Sequence, residues 1–145
     1  MYIYKHILIA VDASPSATAI LKKAGKIAEI FDSKLSIIHV IEPLSIAYGS
    51  DVPLDLTGLQ EEIFQQAREK IKKAITKFNL SVEETYIVHG YPDQEIHQII
   101  NDTDIDLLVL GSHGKGGILF FTSSTSTDVM HGITCDMLAI HIEES

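Results

Sequence analysis

The chain has 145 residues, 46% of them apolar, and twenty acidic against eleven basic side chains give a formal net charge of −9. That length supports one hydrophobic core rather than two, and the acidic balance repels phosphate backbones and anionic lipid, which disfavours nucleic-acid and membrane-surface binding. The longest aliphatic run, Ile7 to Val11, is far short of a membrane span, MYIYKH lacks the apolar stretch of a secretion signal, and a single cysteine, Cys135, excludes an intrachain disulfide, so we read one cytoplasmic domain over residues 1–145.

HILIAVD (His6 to Asp12) predicts a first strand, apolar enough to be covered on both faces. Ala17, Ile20, Leu21, Ala24, Ile27, Ala28 and Phe31 then fall on one helical stripe, opened by Ser14 as a cap and Pro15 at the first helical position. LSIIHVI (Leu35 to Ile41) is a second strand, and the apolar neighbours of His39 point to a satisfied buried imidazole rather than a metal ligand. The irregular stretch from Glu42 to Thr57 is long enough to be a lid or interaction loop, or else a passive crossover. Leu59, Ile63, Ala67, Ile71, Ala74, Ile75 and Phe78 form a second stripe, with Thr57 and Gln60 in the form of a capping box. Its Glu61, Glu62, Lys70, Lys72 and Lys73 read as a solvated face with acids first, in keeping with the helix dipole. ETYIVHG (Glu84 to Gly90) is a third strand, and a third helix starts at Pro92 and turns Ile96, Ile99 and Ile100 inward. DLLVLG (Asp106 to Gly111) is a fourth strand, a short helix near Thr125 to Thr127 uses Val129, Met130 and Ile133, and MLAIHI (Met137 to Ile142) is a fifth strand.

Alternation of strand and helix, with right-handed crossovers between parallel neighbours, predicts an α/β fold: an open, doubly wound, Rossmann-like sheet of five parallel strands in the order 3-2-1-4-5, with helices on both faces. In that order the helices after strands 1 and 4 leave on opposite faces and open a crevice at the carboxyl ends, where Asp12 and Gly111 sit. The segment GSHGKGG (Gly111 to Gly117) lets backbone approach a ligand, and Ser112, Thr125 and Thr127 offer hydroxyls to phosphate oxygens. No P-loop is present, since Gly117 and Ile118 stand where Lys and Ser or Thr are required. DASPS around Ser14 does not match G-x-S-x-G, the seven histidines show no H-E-x-x-H spacing, and we expect neither a catalytic residue nor a structural metal.

YKHILIAVDASPSA, LSIIHVIEP, DLLVLGSHGKGG and DMLAIHIEE together resemble the universal stress protein family, and the resemblance covers essentially the whole chain. Many members bind ATP in the crevice through a pattern of glycine, two residues, glycine, nine residues, then glycine and Ser or Thr. Gly111 and Gly114 match that pattern, whereas the third glycine is Ser124, followed by Thr125. The resemblance implies a nucleotide site at Ala10, Asp12, Val40, Gly111, Ser112, His113, Gly114, Ser124, Thr125 and Thr127, with Asp12 and the Val40 backbone at the adenosine and the hydroxyls at the phosphates. Asp12 equally suits a plain role in organising the turn before Ser14 and Pro15. ATP or AMP would be the cofactor, with Mg²⁺ only alongside the nucleotide, and activity at most that of a slow ATPase. The carboxyl-terminal residues are more like the universal stress protein A branch, which lacks the glycine pattern, so an interaction-only protein that has lost nucleotide binding is the alternative. Phe120 and Phe121 stand where nucleotide-binding members often carry a basic residue. The resemblance also implies a homodimer, paired antiparallel through the edge strand Met137 to Ile142.

Overall fold

A computed structural model of the chain describes residues 3–12, 15–43, 57–113, 117–118 and 131–142. The elements run β1 (His6–Ala10), α1 (Ser16–Phe31), β2 (Lys34–Ile41), α2 (Thr57–Lys77), β3 (Glu84–His89), α3 (Pro92–Asp102), β4 (Leu107–His113), β5 (Gly117–Ile118) and β6 (Asp136–Ile142). The five long strands are all parallel in the order β3-β2-β1-β4-β6, which is the expected order with β6 as the fifth long strand. A two-residue strand, β5, was not anticipated; it pairs antiparallel with the end of β4, Ser112 opposite Ile118 and His113 opposite Gly117.

Period-2 alternation along the central strands divides one core into two layers. Ile7, Ile9 and Val11 of the first strand, Leu35 and Ile37 of β2, and Leu107 and Val109 of β4 meet Ala17, Ile20, Leu21 and Ala24 of α1 and Ile71 of α2. Leu8, Ala10, Ile38, Leu108 and Leu110 face the opposite way, against Ile96 and Ile100 of α3. Both faces of β1 and β4 are therefore covered, and this is why their sequences are continuously apolar. The stripe expected on α2 holds from Ala67 onward, whereas Leu59 is 47% exposed, so the first turns of that helix carry an apolar residue away from the core. Pro15 has helical angles (φ −59°, ψ −24°) but occupies the cap position, one residue before the place expected for it. Ser14, Phe120, Phe121 and the short helix expected near Thr125 to Thr127 lie outside the described residues, as does most of the irregular stretch after Glu42.

Side chains lace the amino end of the sheet together. The Asp106 carboxylate accepts hydrogen bonds from the backbone N–H of Lys5 (2.9 Å) and His6 (3.1 Å), pinning the start of β1 beside the start of β4. Tyr4 donates its hydroxyl to Asp136 at 2.9 Å, which brings the start of β6 into the same cluster. His6, only 5% exposed, lies between Asp104 (Nδ1 to Oδ1, 2.7 Å) and the fully buried Ser36 hydroxyl (Nε2 to Oγ, 2.7 Å). A carboxylate can only accept, so Nδ1 donates to Asp104, and in the neutral ring Nε2 accepts from Ser36. Donation from His6 is the main reason that the Asp104 carboxyl is held below the usual carboxylate range.

Candidate functional site: the crevice at the carboxyl ends of the strands

The ladder register locates the crevice. The ladder between β1 and β4 ends with Ile9 opposite Val109, and Val11 and Asp12 continue from the end of β1 to the lip of the crevice. β1 stops at Ala10 while β4 runs on to His113. Beyond Val109 the edge of β4 that faced β1 is free to take another strand. Since β6 occupies the other edge as far as His113, β5 takes this one, antiparallel to the end of β4.

A hollow of about 260 Å³ opens here on the α3 face, lined by Ala10, Asp12, Val40, Ile63, Pro92 and Ile96 among others. Its walls are largely aliphatic, suited to the face of a planar heterocycle. Asp12 and Glu42 supply carboxylates that can accept from hydroxyl or amino groups at the mouth. His39 is 7% exposed, and its Nδ1 lies 2.9 Å from the Val11 carbonyl oxygen. A carbonyl only accepts, so Nδ1 carries the proton and the ring ties the end of β2 to the residue before Asp12. The fold thus brings Ala10, Asp12 and Val40 to one place. Ile63, Pro92 and Ile96 were not read as site residues; Pro92 and Ile96 line this wall because the Ala10 face of the sheet is the α3 face, which the alternation of β1 could have signalled, and Ile63 reaches it from α2.

Three site residues have different surroundings from those expected. Gly111 was read as a place where backbone approaches a ligand, but a Cβ at this position would lie 2.5 Å from Ile20 Cδ1 and 2.6 Å from Ile142 Cδ1. The missing side chain is thus replaced by core atoms of α1 and β6. Ser112 and His113 were read as part of a glycine turn, yet they are strand residues paired on both edges, with His141 and Ile142 of β6 on one side and Ile118 and Gly117 of β5 on the other. Gly114, Ser124, Thr125 and Thr127 lie outside the described residues.

The model of the universal stress protein family matches residues 3–141. The chain belongs to the universal stress protein family. A universal stress protein A homolog of Haemophilus influenzae is 32% identical over 143 residues, covering 97% of this chain and 99% of the relative. Among solved structures, a universal stress protein in complex with cAMP aligns with a TM-score of 0.61 at 23% identity, covering 95% of this chain and 97% of the other. A universal stress protein family protein from Arabidopsis thaliana with AMP bound aligns with a TM-score of 0.63 at 20% identity, covering 96% and 92%. At these identities the structures attest the shared Rossmann-like fold of universal stress proteins. Among the described residues of this one, no helix is long and apolar enough to cross a membrane.

Proposed function

We propose that this universal stress protein is a cytoplasmic, homodimeric stress-response module that binds an adenine nucleotide in the crevice and performs no fast chemistry there. The observation that carries the reading is the hollow at Ala10, Asp12 and Val40, which joins aliphatic walls for a purine to the Asp12 carboxylate for ribose hydroxyls. Two structures of the same fold hold cAMP and AMP, so an adenine nucleotide is the ligand class to test first. The phosphates would extend toward the segment beginning at Gly114, where Ser124, Thr125 and Thr127 supply hydroxyls. ATP or AMP fits this arrangement, and Mg²⁺ would enter only with the phosphates. The dimer would form along β6, whose outer edge exposes Leu138, Ala139 and His141.

The interaction-only alternative is favoured by Ser124 at the third glycine position and by the ladder that already engages the backbone of Ser112 and His113. Calorimetric titration of ATP and of AMP into the native protein and into Ser124→Gly separates the two. Saturable heat in either protein, tighter in the glycine variant, is expected, because a side chain at Ser124 crowds the phosphate approach. Equal, negligible heats in both overturn the nucleotide reading and leave the interaction-only protein.

A further inference from the structure

We propose that the seam between α1 and α2 is a second binding site, distinct from the crevice on the α3 face, and that it takes an amphipathic organic anion such as a medium-chain carboxylate. A cavity of about 280 Å³ runs along this seam. Its floor is apolar: Ala17 and Leu21 from α1, and Ala67, Ile71 and Ala74 from α2. Farther along α1, Leu80 of the segment after α2 packs on Gly25, its Cδ2 in the place a Cβ would take. Nearer the strand ends the described lining includes the small side chains of Ala17, Ala67 and Ala74. The volume is at the low end of the range for ligand pockets, so the occupant is smaller than a drug-sized molecule.

Charge decides which end of the ligand goes where. Lys70, Lys73 and Lys77 line the cavity at helical spacing over roughly 10 Å of α2, and all three are exposed. They belong to the ten-residue run REKIKKAITK (Arg68 to Lys77), which holds five of the eleven basic residues of a chain whose net charge is −9. Such a concentration of cations beside an apolar trough attracts an anion with an apolar body, whose chain lies on the alanine floor while its carboxylate reaches the lysine lip. The two hollows adjoin at Val11, Asp12 and His39 and are otherwise lined by different residues, so the amide shifts named below tell one from the other.

The test is titration of octanoate into the full chain, followed by calorimetry and by backbone amide shifts. Saturable binding is expected, with shifts centred on Leu21, Ala67 and Ala74. In Lys73→Glu/Lys77→Glu, whose exposed side chains leave the fold intact, the affinity should fall roughly tenfold. Ala67→Phe fills the trough and should abolish binding, with circular dichroism reporting that the protein is folded. Octyltrimethylammonium, with the same chain length and the opposite charge, should give no saturable response. Unchanged affinity in the charge-reversed variant, equal binding of the cationic probe, or shifts centred instead on Ile63 and Ile96 would each overturn the proposal.

Discussion

Replacing Gly111 by alanine tests whether its glycine serves packing or ligand approach. The new methyl carbon would stand 2.5 Å from Ile20 Cδ1 and 2.6 Å from Ile142 Cδ1, and both contacts are too short to survive unrelaxed. Ile20 is 0% exposed and Ile142 8%, so neither side chain can swing out to solvent. Overpacking of this kind costs about 1–3 kcal/mol. The obstacle is in each case the terminal methyl of an isoleucine, and Ile→Val deletes that carbon at an ordinary cost of about 0.5–1.5 kcal/mol. In a double-mutant cycle, Gly111→Ala combined with Ile142→Val should therefore be more stable than the sum of the two single effects, by roughly 0.5–1 kcal/mol or more. Urea denaturation of the four proteins, monitored by circular dichroism, measures this. Additive effects, or a Gly111→Ala protein within about 0.5 kcal/mol of the native one, would refute the packing account. The same reasoning makes a bulky residue at Gly111 a poor control for ligand binding, because it would disturb the core first.

The two other predictions concern the ends of the sheet. With its folded-state pKa held below the ordinary 3.8, Asp104 contributes stability that is present above that value and is lost as the pH falls through the lowered one. The melting temperature of Asp104→Asn should consequently fall less steeply than that of the native protein as the pH drops below about 4, and parallel acid limbs would remove His6–Asp104 from the account of acid stability. At the opposite edge, Leu138→Lys sets a charge on the exposed strand of each copy close to the proposed twofold axis and should shift the protein toward monomer in sedimentation equilibrium. A monomeric native protein, or a variant as dimeric as the native one, would refute pairing through β6.

The architecture was legible because its signals are local: an apolar run closed by Asp12, a helical stripe from Ala17 to Phe31, Pro92 at the start of α3. Their alternation leaves few topologies other than the one observed. What escaped notice depends on residues far apart in the chain. Gly111 looks like any loop glycine until Ile142, 31 positions later, is laid beside it. Ser112 and His113 read as a turn because their strand character comes from partners in β5 and β6 rather than from their own composition. β5 itself is two residues led by a glycine, with no periodicity to detect; it exists because β4 outlasts β1. For the crevice, the strand-end residues Ala10, Asp12 and Val40 were recognisable from family motifs. The opposing wall of Ile63, Pro92 and Ile96 comes from two helices whose apolar residues look like ordinary core positions.

The cluster at Tyr4, Lys5, His6, Asp104, Asp106 and Asp136 gathers nearly all the long-range side-chain hydrogen bonds described above at one pole of the molecule. At the opposite pole, where ligands would lodge, the described residues supply the His39 tie to Val11 and the aliphatic walls of the two hollows. Such a cluster separates persistence from novelty: substitutions around the mouths of the two hollows can retune what is recognised while the foundations, a sheet's length away, hold the strands in register.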